Sequence, residues 1–318
     1  MKKLFIKLAK ALGFEIIDQN QFFSPTLNKD LNEDLSTLNE KSIILPLGEV
    51  KISRNVESVL LIIRMNTDVE IWDQNKKRLF EQPKIEYSYR SIKSLIRSIN
   101  FCKNKYSKIK IKTIIIDDNS KDENLNRIKK LIDGENIEIV PLNHENYKNI
   151  IKEQKSKETF SNLASLMSSF EIGKNQSEDL IFFLEDDYIH FETMLEEMIS
   201  SYERLASQLK KDIFLCPSDY PYLYMNNEKT NILIGNKRHW RTINKTLCTF
   251  MTSRNLLNKY WENFNKTCLD RNDPFEKHIN EIYEKELCLS PIKSLSLHLT
   301  NINSSYGLAW PIIQRKKG

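Results

Sequence analysis

Apolar residues along this chain follow two rhythms in turn, and the alternation between them predicts the fold class. Ser58 to Met65 and Ile109 to Ile116 are short apolar runs that read as buried strands. Between them, Tyr87 to Cys102 carries Ile92, Leu95, Ile96 and Ile99 at the spacing of one helical face. Lys121 to Ile132 repeats that spacing with Leu125, Ile128 and Leu131, and Ile137 to Leu142 reads as a third strand. After a loop with some helix over 143–158, Thr159 to Gly173 predicts a helix that Gly173 can terminate. Leu180 to Leu184 is again a strand, and Phe191 to Leu209 an amphipathic helix. Strand and helix in regular succession predict an α/β fold, a mostly parallel sheet with helices on both faces.

The rhythm weakens beyond Asp212–Cys216. Pro217 to Tyr224 is rich in Pro and Tyr, and 226–240 is polar. Thr246–Thr252 reads as a strand, Asn255–Asn265 and Pro274–Lys285 as helices, and Leu295–Leu299 as a short final strand before a tail ending Arg315-Lys316-Lys317. At the other end, residues 15–55 are polar and Asn-rich, an irregular leader with one short strand at Ser42–Leu47. Met1 to Phe14 interleaves Lys2, Lys3, Lys7 and Lys10 with Leu4, Phe5, Leu8 and Leu12, which gives a helix one cationic and one apolar face. Two readings of it stand side by side: a helix lying on an anionic membrane, or a helix docked on its own domain or frayed. The chain divides on this pattern into an extension (1–55), a regular half (56–215) and a less regular half (216–318).

Composition narrows the partners. With 318 residues the chain can bury a substantial core. Its 48 basic and 43 acidic residues leave a net charge of +5, which makes no case for nucleic-acid binding. Five cysteines without CxxC spacing disfavour a disulfide framework or a zinc site and suit a reducing cytosol. No apolar run approaches the roughly 20 residues that span a bilayer, and no cleavage site of small residues follows the N-terminal helix. A cytoplasmic protein is expected, peripheral at the membrane's inner face if the first reading of the helix holds.

The chemistry concentrates where strands end. Leu180 to Leu184 runs into Glu185-Asp186-Asp187, and three adjacent carboxylates repel one another unless a cation offsets them. A divalent metal that in turn holds a phosphate answers that requirement. The second strand stops at Asp117-Asp118-Asn119-Ser120, where Asp118 or Ser120 can equally be a helix N-cap. Ligands of open α/β sheets bind in the crevice beyond the carboxyl ends of the strands.

The run Ile115-Ile116-Asp117-Asp118-Asn119-Ser120, followed after a helix by Phe183-Leu184-Glu185-Asp186-Asp187, resembles glycosyltransferases of the GT-A fold, family 2 in particular. The resemblance covers about 56–215 well and the remainder loosely. It implies a nucleotide-sugar-binding first half, an acceptor-binding second half and transfer from a nucleotide-diphospho-sugar, UDP-linked and with inversion, to a glycan or lipid-linked hydroxyl. Polysaccharide biosynthesis is the process it suggests. Asp118 would bind the base with Asp117 supporting its turn, and Asp186 the donor ribose or the metal. Asn66, at the end of the opening strand, would reach the nucleotide. Asp187 would ligate Mn²⁺ or Mg²⁺, with His298 as a late histidine ligand and Glu185 standing where the family usually has Asp. His190 is a rival ligand. The general base would come from Asp270-Arg271-Asn272-Asp273-Pro274-Phe275-Glu276, with Asp273 preferred and Glu276 second. A common helix start, Asp273 as N-cap and Pro274 as first helical residue, explains that stretch equally well. Tyr220, Tyr222, Tyr224 and Trp240, with Arg238 or Arg241, would face the acceptor. Two other classes remain: a sugar nucleotidyltransferase, against which Arg64–Asp68 lacks glycine, and a silent carbohydrate-binding protein.

Overall fold

A computed structural model of the chain describes residues 2–14, 51–69, 82–152, 156–224 and 230–299. The strand expected at Ser42–Leu47 and the basic tail lie outside them. In order, the first half contains α1 (Lys2–Ala11), β1 (Ser58–Met65), α2 (Lys84–Lys105), β2 (Lys110–Asp117), α3 (Asp122–Leu131), β3 (Ile137–Pro141), α4 (Lys157–Gln176), β4 (Leu180–Glu185), β5 (Tyr188–His190) and α5 (Met194–Leu209). The second contains β6 (Phe214–Leu215), β7 (Ile232–Ile234), β8 (His239–Ile243), β9 (Phe250–Ser253), α6 (Arg254–Lys259), α7 (Trp261–Leu269), α8 (Lys277–Asn280), β10 (Cys288–Pro291) and β11 (Ser296–His298).

β1 is buried along its whole length, as a strand must be that has neighbours on both edges and helices on both faces. It lies between β2 and β4, parallel to both, within a nine-stranded sheet ordered β3-β2-β1-β4-β9-β6-β10-β8-β7. The sheet is continuous across the boundary drawn near residue 215. β9 and β8 run against their neighbours and the other strands share one direction, so the mostly parallel sheet is what forms. β5 and β11 make a separate antiparallel pair beside it.

Side chains alternate across a strand, and here each set meets its own helices. Leu61, Ile63, Phe182 and Leu184 join one core with Ile92 and Leu95 of α2 and Met198 and Tyr202 of α5. Leu60, Ile62, Ile181 and Phe183 join the other with Leu163 and Phe170 of α4 and Phe264 of α7.

Several elements differ from expectation. Gly173 does not end its helix; α4 continues to Gln176, and a Cβ at Gly173 would stand 3.0 Å from Phe183 Cζ. The glycine is there so that the helix can approach the sheet. The helix expected from Phe191 begins at Met194, because Tyr188–His190 leaves the main sheet to pair with β11. The single helix over Asn255–Asn265 is two, divided at Tyr260. The helix expected from Pro274 starts at Lys277, so Asp273 caps nothing, and a 3₁₀ turn over Glu281–Glu284 replaces its second half.

Phe183 packs edge-on against Phe170 at 5.0 Å between ring centroids and lies 5.3 Å from Phe250. Phe183→Ala should cost about 3–5 kcal/mol in urea unfolding, the range for emptying a buried aromatic site. A loss under about 1 kcal/mol would mean that this ring does not hold α4 to the sheet.

Candidate active site

The chain leaves β1 toward β2 and β3 on one side and later returns to β4 on the other. That reversal opens a crevice at the carboxyl ends of β1 and β4, the usual ligand site of open α/β sheets. The register sets Met65 opposite Asp117 and Arg64 opposite Glu185, so both acidic strand ends flank the end of β1.

Alternation, carried one residue past the end of β4, then separates Glu185 from Asp186. Glu185 falls on the α4 side, where Arg64 Nη2 meets its Oε1 at 2.6 Å and Thr249 Oγ1 lies 3.4 Å from Oε2. Arg64 is buried and also donates to Asn162 Oδ1 at 2.7 Å. Burial opposes its charge, but Glu185 more than offsets this and raises its pKa. Asp186 falls on the α2 side, held by Lys84 Nζ and Ser88 Oγ at 2.5 Å each and by the Asn66 amide N–H at 3.3 Å. Asp187, just past the strand, faces His298 Nε2 at 3.2 Å from its Oδ2.

Asn66 joins the two acidic ends. Its backbone donates to Asp186, and its side-chain amide donates to Asp118 Oδ2 at 3.2 Å. Asp118 is buried, and it also accepts from Ser161 Oγ at 2.5 Å and meets His144 Nε2 at 2.9 Å from Oδ1. It caps no helix: α3 begins after Lys121, and Ser120 Oγ accepts instead from the Thr67 amide N–H. Between them Asn119 takes a left-handed φ of 55°, which Asn tolerates in tight turns. Asp117 lies beneath this turn with its Oδ1 buried and unpaired, and burial raises its pKa.

Of the three acids at the end of β4, Asp187 is the one with an oxygen that no side chain satisfies. Its Oδ1 is buried without a hydrogen-bond partner. Burial opposes its charge, yet His298 together with Lys84 and Arg64 holds its pKa well below the usual carboxylate range. For His298 burial likewise opposes the charge, and Asp187 raises its pKa above the ordinary histidine value. Tyr188 orients the pair: its ring stacks on that of His298 at 4.5 Å, and its hydroxyl meets that of Tyr220 at 2.6 Å. A carboxylate oxygen and an imidazole nitrogen suit a Mn²⁺-like cation, so the residues fit one provided the cation displaces the proton that His298 shares with Asp187. Among the described residues there is no cluster of three or more His, Cys, Asp or Glu side chains able to hold a metal, so most ligands to such an ion would come from a bound phosphate or water. His190 is elsewhere: it is buried, bonded to Ser296 Oγ at 2.8 Å, and lowered to a pKa of about 3 by burial.

Asp273 is exposed, while Glu276 is partly buried with the Cys248 thiol 3.9 Å from its Oε1. Burial, with the Glu185 charge adding to it, raises Glu276 to a pKa of about 7. The residues expected to face an acceptor mostly do not. Trp240 is fully buried against Gly235, Tyr220 is buried, and Arg241 is buried in an ion pair with Asp219 at 3.1 Å. Arg238 donates to the Lys293 carbonyl at 2.7 Å, and Tyr224 is half-exposed with its hydroxyl on Asp219. The Tyr222 side chain lies outside the described residues.

No protein-family model matches the chain, and no curated protein does. Among solved structures, S. aureus TarS 1–349 is similar at a TM-score of 0.46 and 10% identity, over 75% of this chain and 59% of that one. UDP-glucose pyrophosphorylase complexed with UDP-glucose is similar at 0.41 and 8%, over 78% and 95%. The galactosyltransferase LgtC, in complex with donor and acceptor sugar analogs, is similar at 0.35 and 9%, over 73% and 72%. All three stand below a TM-score of 0.5, and the site's chemistry is read from its own side chains.

Sequence reasoning did not find Arg64, Lys84, His144 or Ser161. Arg64 left a signal, since an arginine inside an apolar strand needs a buried carboxylate. Removing it alone strands Glu185, whose side chain is still 27% exposed. Arg64→Met should therefore cost about 2–3 kcal/mol in denaturant unfolding, below the range for fully buried pairs. Arg64→Met/Glu185→Gln should cost less than the single change. Simple additivity of the two changes would show that the pair is not coupled.

Proposed function

We propose that the chain is a glycosyltransferase that moves a sugar from a nucleotide-diphospho-sugar to a hydroxyl acceptor with inversion, the GT-A reading of its two acidic strand ends. The observation that carries it is the bridge made by Asn66, which ties Asp118 and Asp186 into one crevice at the topological switch point. Beside that bridge Asp187 presents a buried, unpaired oxygen next to His298.

The roles follow from the hydrogen-bonding capacity of each group. Each carboxylate oxygen accepts about two hydrogen bonds, so Asp118 Oδ1 keeps one position for a nucleobase N–H beside His144. Asp186 Oδ1 likewise keeps one beside Lys84 for a ribose hydroxyl, and Lys84 adds positive charge near the diphosphate. Asp187 and His298 would hold Mn²⁺ or Mg²⁺, which when bound offsets charge on the leaving nucleoside diphosphate. Glu276 takes the proton from the acceptor hydroxyl, in preference to the exposed Asp273, because a base of pKa near 7 is matched to neutral pH.

The test is turnover of a panel of nucleotide sugars with Mn²⁺ and sugar acceptors. The wild type should consume a UDP-sugar, and Glu276→Gln should lower kcat about 10²–10⁴-fold while nucleotide affinity stays within about twofold. A base must be deprotonated, so kcat/KM should rise as pH climbs through about 7, and the rise should vanish in Glu276→Gln. Pyrophosphate release from a nucleoside triphosphate and a sugar 1-phosphate would instead mark a nucleotidyltransferase. Failure to bind any nucleotide sugar would sink both readings, and transfer retained in Glu276→Gln would return the base to Asp273.

A further inference from the structure

We propose that α1 is an interfacial anchor that lies flat on an anionic phospholipid surface. The claim stands apart from the transferase reading and rests on what the helix leaves uncovered. Leu4, Phe5, Leu8 and Leu12, with Phe14 just beyond the helix, are 62–74% exposed. Elsewhere in the described residues large apolar side chains are seldom so open, and the interior reading of α1, docked on its own domain, does not hold for this face.

At about 100° per residue, Leu4, Leu8, Leu12 and Phe5 fall within an arc of roughly 100°, with Lys7 and Lys10 on the other side. Both lysines are exposed. Every charged residue from 2 to 14 is a lysine, Lys2 and Lys3 being the others. Gly13, at a φ of 81°, ends the helix, and the Phe14 amide N–H returns to the Ala9 carbonyl at 2.8 Å.

These features select among occupants by charge. Pairing the same face with a second copy would bring two acid-free cationic helices together. Anionic headgroups complement the lysines while the acyl boundary takes the leucines and phenylalanines. Lysine stems can lie along the boundary with their ammonium groups at phosphate level. Ten residues make a helix about 15 Å long, too short to cross a bilayer, so it lies in the surface. A helix of this length is marginal alone in water, and the membrane supplies the cover that stabilises it.

The experiment is co-sedimentation of the full chain with vesicles. Binding is expected to phosphatidylcholine vesicles containing phosphatidylglycerol, at least about tenfold weaker to pure phosphatidylcholine, and falling with added salt. Lys7→Gln/Lys10→Gln should weaken binding about 10- to 30-fold. Phe5→Ser/Leu8→Ser should abolish it with the thermal melt unchanged, since these side chains touch no core. Wild-type protein left in the supernatant would overturn the proposal. So would equal binding to neutral vesicles, wild-type binding by the Ser variant, or a vesicle-indifferent dimer that the Ser variant dissociates.

Discussion

Neighbouring carboxylates at the end of a buried strand cannot all stay ionised without positive charge close by, and this constraint organises the centre of the molecule. The protein answers it acid by acid. Glu185 has Arg64, Asp186 has Lys84, and Asp187 has His298. Strand alternation makes the division possible, by sending Glu185 to the α4 side and Asp186 to the α2 side. Asp187 is then the member with a buried oxygen still unpaired. A stretch that looks like one acidic cluster is three groups, each with its own cationic partner.

The same division explains how the site is held. Arg64 anchors β1 to β4 and, through Asn162, to α4. Lys84 and Ser88 bring the start of α2 against Asp186. Asn66 links that side to Asp118, which Ser161 and His144 fix from α4 and from the loop after β3. The β5–β11 pair delivers His298 from the far end of the chain, with Tyr188 stacked on its ring. Elements distant in sequence meet at the end of β1, so the site depends on the whole sheet.

Much of the first half was legible because long periodic segments announce themselves. β1, β2, β4 and their helices lie within a few residues of where apolar spacing puts them. The second half was legible in part: the strands expected at Thr246–Thr252 and Leu295–Leu299 correspond to β9 and β11, whereas β7, β8 and β10 were not legible, for physical reasons. β7 and β8 are short strands in a polar stretch, stabilised by pairing and by the buried Trp240 more than by their own pattern, and β10 ends in Pro291. Gly173 reads as a helix end because a sequence does not show the Phe183 ring beneath it. The acids of the site were readable from their clustering, but their partners were not, because Lys84, His144 and Ser161 are ordinary residues until the fold assembles them. The stretch Asp270–Glu276 offers both Asp273 and Glu276 as a base, and only the folded chain distinguishes the exposure of Asp273 from the inward position of Glu276.

The division of labour among the three acids is tested most directly by calorimetric titration of UDP into the protein with and without Mn²⁺, in Asp187→Asn and Glu185→Gln. Mn²⁺ should tighten UDP binding in the wild type and in Glu185→Gln, whose altered side chain faces Arg64, and have no effect in Asp187→Asn. A Mn²⁺ effect that survives in Asp187→Asn, or disappears in Glu185→Gln, would contradict the assignment.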